Sequence, residues 1–152
     1  MMNNIKNFLF GNKHSSVVSD IGEFKSRFKE RSNFICWEYE HFYPESAHPT
    51  FITVSGDKNG PNQSKLNLIR PFIKERDRIN ALINTKLKGN VLSNLEFEQR
   101  WNNWENRFRI ITIESFFEDP LVIEFYIHSN TDNRQLHVDF RNGVISKFEI
   151  HE

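Results

Sequence analysis

The stretch LVIEFYIH, which runs from Leu121 to His128, decides the fold because its residues alternate in character. Its first, third, fifth and seventh residues are apolar and fall on one face of an extended chain, whereas the other face is mixed. The stretch QLHVDFR, from Gln135 to Arg141, repeats this alternation. The pattern is typical of antiparallel strands with one face on a core and the other in water.

Two further segments extend this pair into a four-strand meander between Arg107 and Ile150. The segment before it, from Arg107 to Ser115, is apolar on both faces in its middle, which indicates a central or well covered strand. The segment after it follows Asn142-Gly143, a dipeptide typical of tight hairpins.

The hairpin at Asn142-Gly143 has two possible registers. A two-residue loop would place Val138 opposite Lys147. A three-residue loop with Gly143 in the left-handed region would place Val138 opposite Ser146 and keep apolar residues on one face. Because a slip of one residue turns a whole strand over, we predict the second register, a type I turn with a G1 bulge.

Composition limits the class of protein. The chain has 152 residues, enough for one domain with its own core, and 20 basic residues balance 20 acidic ones. A net charge of zero does not favour nucleic-acid binding, and no apolar run is long enough to span a membrane. The single cysteine allows no internal disulfide, so we expect a cytoplasmic protein. We expect residues 1–14 to be a loosely ordered lead-in and residues 15–152 to form a single α+β domain.

The sequence of the first third of the chain also predicts β-strands. Gly22–Lys29 and Phe34–Tyr43 predict an N-terminal hairpin, and Thr50–Val54 predicts a short β-branched strand. The turn formers of Ser55–Ser64 then predict a hairpin or a mobile loop.

Helical spacing predicts two main helices between these strands and the meander. One begins near Pro71 and runs to Leu87, and the other begins at a capping box at Ser93 and includes Trp101 and Trp104, which we interpret as core residues. The sequence therefore predicts an α+β fold, with an antiparallel sheet of about six or seven strands and two main helices packed on one face.

No stretch carries the signature of a known chemistry. The six histidines show no metal-protease spacing, no nucleophile elbow exists, and the glycines at Gly56 and Gly60 lack a P-loop ending. Cys36 lies in a predicted strand, where we expect it to be buried and inert. We therefore predict no catalytic residues, no metal ligands and no cofactor.

Several polar residues share the outer face of the meander. His137 and Asp139 lie on one strand, close to Glu124 and His128 on a neighbouring strand. Because an antiparallel sheet commonly has one solvated face, we interpret this group as a polar outer surface.

The segment from Trp37 to Tyr43 is the one candidate binding surface. It mixes acids with large aromatic residues, which are enriched at protein interfaces, although a hairpin strand with one face in the core would look the same. We predict that six residues contact a protein partner, the acids among them meeting a basic surface: Trp37, Glu38, Tyr39, Glu40, His41 and Glu124.

The layout of Ile21–Phe24, Trp37–Tyr39, Phe51–Val54 and His137–Ile145 resembles a group of small bacterial α+β domains of unknown function. Members of such groups often look like immunity proteins, which neutralise a toxin made by a neighbouring or sister cell. The resemblance implies a non-enzymatic protein-binding module with a cognate toxin as partner. Independently of the resemblance, we expect a monomer, or a homodimer formed through a sheet edge or the outer face.

The closing strands also look like the sheet of nuclear-transport-factor-like cone folds. That alternative implies a small-molecule-binding or hydrolytic domain with a pocket between helices and sheet. The predicted β-rich first third departs from such a fold. A deep polar pocket would favour this alternative, and a filled interior would count against it.

Overall fold

The computed structural model describes residues 10–44, 46–91, 101, 103–116 and 121–152. The strands within this part of the chain are β1 (Asn12–Val18), β2 (Gly22–Phe28), β3 (Ile35–His41), β4 (Thr50–Asp57), β5 (Gly60–Pro61), β6 (Phe108–Ser115), β7 (Ile123–Ser129), β8 (Gln135–Arg141) and β9 (Val144–His151). The helices are α1 (Gln63–Lys74), α2 (Arg76–Lys86) and α3 (Trp104–Arg107), and a π-helical turn (Leu87–Val91) follows α2.

All of these strands belong to one open sheet in the order β1-β2-β3-β4-β6-β7-β8-β9, with β5 paired to β4. The α+β class, the N-terminal hairpin (β2–β3) and the C-terminal meander (β6–β9) are confirmed. The predicted count of six or seven strands is wrong, because the described residues form nine. The additional strands are β1, a largely exposed edge strand with little apolar alternation, and the two-residue β5.

Strand β1 also changes the start of the ordered chain. It begins at Asn12 and pairs along its whole length with β2, so residues 12–14 of the predicted lead-in belong to the sheet. Residues 1–9 lie outside the described part of the chain.

One pairing in the sheet is parallel, whereas the sequence predicts only antiparallel pairs. Strands β4 and β6 are parallel neighbours, with Ile52 opposite Ile113. A parallel pair needs a long crossover connection. Here the connection contains β5, α1 and α2. The helices α1 and α2 therefore separate the two halves of the sheet along the sequence.

The β8–β9 hairpin adopts neither predicted register. Asn142 and Gly143 form a two-residue loop with φ of 50° and 84°, the positive angles of a type I′ turn. The irregularity lies further along, beside Ser146, so that Val138 faces Phe148. The bulge thus occurs within the strand rather than at the turn, and it restores the apolar pairing that motivated the prediction.

The first helix begins earlier than predicted. Asn62 caps α1 by accepting hydrogen bonds from the backbone N–H groups of Ser64 and Lys65, so Pro71 lies inside the helix rather than at its start. The chain leaves helical geometry at Glu75, and α2 follows directly. The predicted capping box at Ser93 lies outside the described residues.

Helix α1 packs on the apolar face of the sheet. The ring of Phe72 contacts Phe125 and Phe140, with centroids 5.2 and 5.0 Å apart. Trp101 and Trp104 are each 1% exposed, which confirms that they are core residues. The aromatic rings therefore fill the space between the helices and the sheet. No helix among the described residues is both long and apolar enough to cross a membrane.

Candidate functional site

The outer face of the sheet, opposite α1, carries a line of residues of which all but one are charged. The strand registers place them directly opposite one another across seven strands. Because neighbouring strands are about 4.8 Å apart, this line is about 29 Å long. We call it the acidic row; its members, in order, are Lys25, Glu38, Thr53, Glu114, Glu124, Asp139 and Lys147.

Three acids occupy consecutive positions at the centre of the acidic row. Glu114 lies opposite Glu124, which in turn lies opposite Asp139. Like charges in directly opposite positions destabilise a sheet. Partial burial raises the pKa of the Glu114 carboxyl, and the negative charge of Glu124 raises it further. The centre of the outer face therefore concentrates negative charge.

A second line of residues runs beside the acidic row and adds two more acids. Its members are Glu40, Phe51, Thr112, Tyr126, His137 and Glu149. Tyr126 joins the two lines, because its hydroxyl donates a hydrogen bond of 2.9 Å to Oε2 of Glu124. Its ring stacks on that of His137, with centroids 4.5 Å apart and planes 14° apart. Burial and the hydrogen bond to Glu124 both raise the pKa of the Tyr126 hydroxyl.

Three carboxylates surround the imidazole of His137. Its Nε2 atom lies 3.2 Å from Oδ1 of Asp139 and 3.5 Å from Oε2 of Glu124. Its Nδ1 atom lies 3.6 Å from Oε2 of Glu149. Glu149 also pairs with Lys147 at 3.1 Å, and this pairing lowers the pKa of Glu149. The imidazole of His137 thus stacks on Tyr126 with its face and meets three carboxylates with its two nitrogen atoms.

The six predicted binding residues divide between the two faces of the sheet. Glu38 and Glu40 are exposed on the outer face, and Glu124 lies there too. Trp37 is 1% exposed in the core, where its Nε1 donates to the carbonyl of Asp57. This ring is not available to a partner in the folded chain.

Tyr39 and His41 lie on the same face as Trp37 and are half-buried. The ring of Tyr39 packs against Phe24, with centroids 5.5 Å apart. His41 packs edge-to-face on Tyr43, and burial lowers the pKa of its imidazole. The structure therefore brings together the predicted acids, and it places the predicted aromatic residues and His41 against the core.

Cys36 is exposed on the outer face rather than buried, so that prediction is wrong. The side chain follows the two-residue period of β3, which places it beside Glu38 rather than Trp37. Partial burial of the thiol raises its pKa, and the carboxylates of Glu114 and Glu38 raise it further. A raised pKa lowers the fraction of the thiol that is present as thiolate at neutral pH.

A groove lies beside the Lys25 end of the acidic row. It is open to solvent, has a volume of about 700 Å³ and is lined in part by His14, Lys25, Arg27 and Glu38. Its lining mixes basic, acidic and apolar atoms. The outer face therefore offers a concave region next to the acidic row.

Comparison with known proteins identifies no relative: no family model matches the chain, and no curated protein or solved structure matches it significantly.

Proposed function

We propose that this chain is a non-enzymatic protein-binding module whose acidic row docks on a basic surface of a partner protein. Its most concrete form is an immunity protein that neutralises a cognate toxin by covering it, as the sequence resemblance suggests. The observation that carries the proposal is the consecutive placement of Glu114, Glu124 and Asp139 across three neighbouring strands.

The energetics of these three acids favour a binding role over a structural one. Sheets are stabilised by opposite charges at facing positions, and this one has like charges there. A cationic partner would relieve the repulsion among the three acids as it docks. The repulsion that lowers the stability of the free fold would therefore favour formation of the complex. Complementary charge also accelerates association and selects among partners.

The size of the acidic row suits a protein partner. A standard interface covers about 800 Å² on each side, which corresponds to a patch about 32 Å across. The row is about 29 Å long at the usual spacing of strands. A small molecule would cover only part of this length, whereas a protein surface could contact all of it.

The alternative of a ligand-binding cone fold needs a pocket between helices and sheet. Phe72 is 2% exposed there and contacts two sheet phenylalanines, and Leu66 and Ile69 beside it are equally buried. This region is filled by side chains, so we propose no function that depends on a chamber inside it.

The test begins with capture of partners on the immobilised full chain from native cells, at low salt, together with the product of any adjacent toxin-like reading frame. Affinities are then measured for the purified partner. We expect Glu38→Lys/Glu40→Lys to weaken binding at least about tenfold, because charge reversal opposes a basic partner. The matched control Glu75→Lys/Asp77→Lys makes the same charge change at two exposed residues on the helical side of the molecule.

Equal affinities of the wild type and Glu38→Lys/Glu40→Lys would refute the acidic row as the docking surface. A captured partner with an acidic binding surface would refute it as well. If the control weakens binding as much as the test variant, the effect is one of net charge, and the proposed surface is again refuted.

A further inference from the structure

We propose that Glu124, His137 and Asp139 bind a divalent first-row transition-metal ion, with Zn²⁺ as the simplest case. The three side chains project from β7 and β8 at the centre of the outer face. Each offers one donor atom, and the three donor atoms all lie within 4.8 Å of one another. This inference goes beyond the proposed docking function and does not depend on it.

The spacing of the donor atoms fits a tetrahedral ion. Bonds of about 2.0–2.2 Å from zinc to nitrogen and oxygen place tetrahedral donors about 3.3–3.6 Å apart. Nε2 of His137 lies 3.5 Å from Oε2 of Glu124 and 3.2 Å from Oδ1 of Asp139. These two distances lie close to the tetrahedral spacing, and the donor oxygens of Glu124 and Asp139 lie within 4.8 Å of each other.

Two of the donor atoms are otherwise unsatisfied. Nε2 of His137 and Oδ1 of Asp139 are shielded from solvent, and neither has a hydrogen-bond partner of acceptable geometry within the described part of the chain. Buried polar atoms are normally hydrogen-bonded. These two atoms face each other, and a cation between them would satisfy both.

The surroundings of the three ligands match those of a metal-binding histidine. Such a histidine usually directs its second ring nitrogen at a carboxylate, which orients the ring and strengthens the ligand. Nδ1 of His137 faces Oε2 of Glu149 at 3.6 Å. Tyr126 contacts two of the three ligands, because its ring stacks on the imidazole of His137 and its hydroxyl donates a hydrogen bond to Glu124.

The donor set also selects the class of ion. Imidazole with carboxylates suits Zn²⁺ and its first-row neighbours, whereas Ca²⁺ and Mg²⁺ prefer all-oxygen sites with more ligands. Three protein ligands leave at least one position for water or for a donor atom from another molecule. From the sequence, these three residues were predicted to lie close together on the outer face, but they were interpreted as a polar surface because a solvated face shows the same two-residue spacing.

The test uses the tag-free full chain, treated with chelator and titrated with ZnCl₂ by calorimetry. We expect saturable binding of one ion per chain. His137→Gln and Glu124→Gln should each weaken binding by more than about tenfold, and Glu149→Gln by about tenfold through the orientation of the ring. His48→Gln, in an exposed loop, should leave the affinity unchanged.

A second measurement reports geometry. Titration with Co²⁺ should give the intense visible absorption of a tetrahedral site in the wild type and in His48→Gln, and this absorption should be lost in His137→Gln. Circular dichroism and the thermal midpoint show whether each variant is folded, and Asp139→Asn replaces any variant that is not. Absence of saturable Zn²⁺ binding, or wild-type affinity in both His137→Gln and Asp139→Asn, would overturn the proposal. Neither result depends on whether a protein partner exists.

Discussion

The two faces of the sheet differ in what their side chains achieve, although the same strands supply both. On the inner face Phe125 packs beneath Phe72 and is 1% exposed. On the outer face the next residue, Tyr126, stacks on His137 and bonds to Glu124. The two-residue period of the strand thus separates the two faces: one determines whether the chain folds, and the other can carry charges that oppose folding.

The largest expected effect comes from neighbouring residues on opposite faces. Phe125→Ala removes a buried ring and leaves a cavity against Phe72, so we expect a loss of about 3–5 kcal/mol in the free energy of unfolding. Tyr126→Ala removes a ring of similar size from the outer face and should cost only about 1 kcal/mol. Urea denaturation of both variants measures the difference, and equal losses would contradict the division between faces.

A smaller effect of opposite sign is expected at the centre of the acidic row. Glu114→Gln keeps the shape of the side chain but removes its charge opposite Glu124. We expect the free energy of unfolding to rise by about 0.2–1 kcal/mol at pH 7, because a like-charge pair is lost. Chemical denaturation at low ionic strength gives the value. A decrease in stability would show that the carboxylate contributes to folding.

The difference in stability between Glu114→Gln and the wild type should also depend on pH. Burial and Glu124 raise the pKa of Glu114 in the folded state above its ordinary value of 4.5. The folded state therefore holds this proton more tightly, and wild-type stability falls relative to Glu114→Gln as pH rises through the folded pKa. The advantage of the variant should vanish below about pH 4.5 and grow as pH rises through the folded pKa of Glu114. A difference that does not change with pH would contradict this account.

The smallest effect is expected at the end of the acidic row. Lys25 is exposed and lies opposite Glu38. An exposed pair of opposite charges contributes little, so Lys25→Ala should change the free energy of unfolding by less than about 0.5 kcal/mol. Thermal unfolding of this variant beside Glu114→Gln tests the comparison, and a loss of several degrees in the midpoint would assign Lys25 a structural role.

The alternation of apolar residues was sufficient to predict the meander, because a strand with one buried face leaves a direct record in the sequence. The pairing of β8 with β9 was not predictable in the same way. A bulge beside Ser146 shifts the register by one residue, and it leaves no signal as clear as Asn142-Gly143. Polar strands such as β1 also leave little signal, because their pairing depends on the neighbouring strand.

The helix boundaries show a different limit of prediction from the sequence. Proline is common at the start of a helix, and this preference led to a predicted start at Pro71. The capping side chain of Asn62 and the buried face of α1 outweigh the hydrogen bond that Pro71 cannot make. Capping and packing together therefore set a boundary that the preference of proline placed eight residues too late.

The acidic row was only partly accessible to sequence reasoning. Glu38, Glu40 and Glu124 were predicted as contact residues, and they do share the outer face. Glu114 and its position opposite Glu124 were missed, because that proximity depends on the registers of β4, β6 and β7. Such proximity depends on how the strands pair, and no spacing along the chain reveals it.

The most direct test of the docking proposal is the dependence on ionic strength of the association rate constant with the captured partner. The account predicts that the wild-type rate falls steeply as salt is added, and that Glu38→Lys/Glu40→Lys associates more slowly and with a shallower dependence. Rates that coincide for the two proteins at every salt concentration would contradict the claim that the acidic face of the sheet receives the partner.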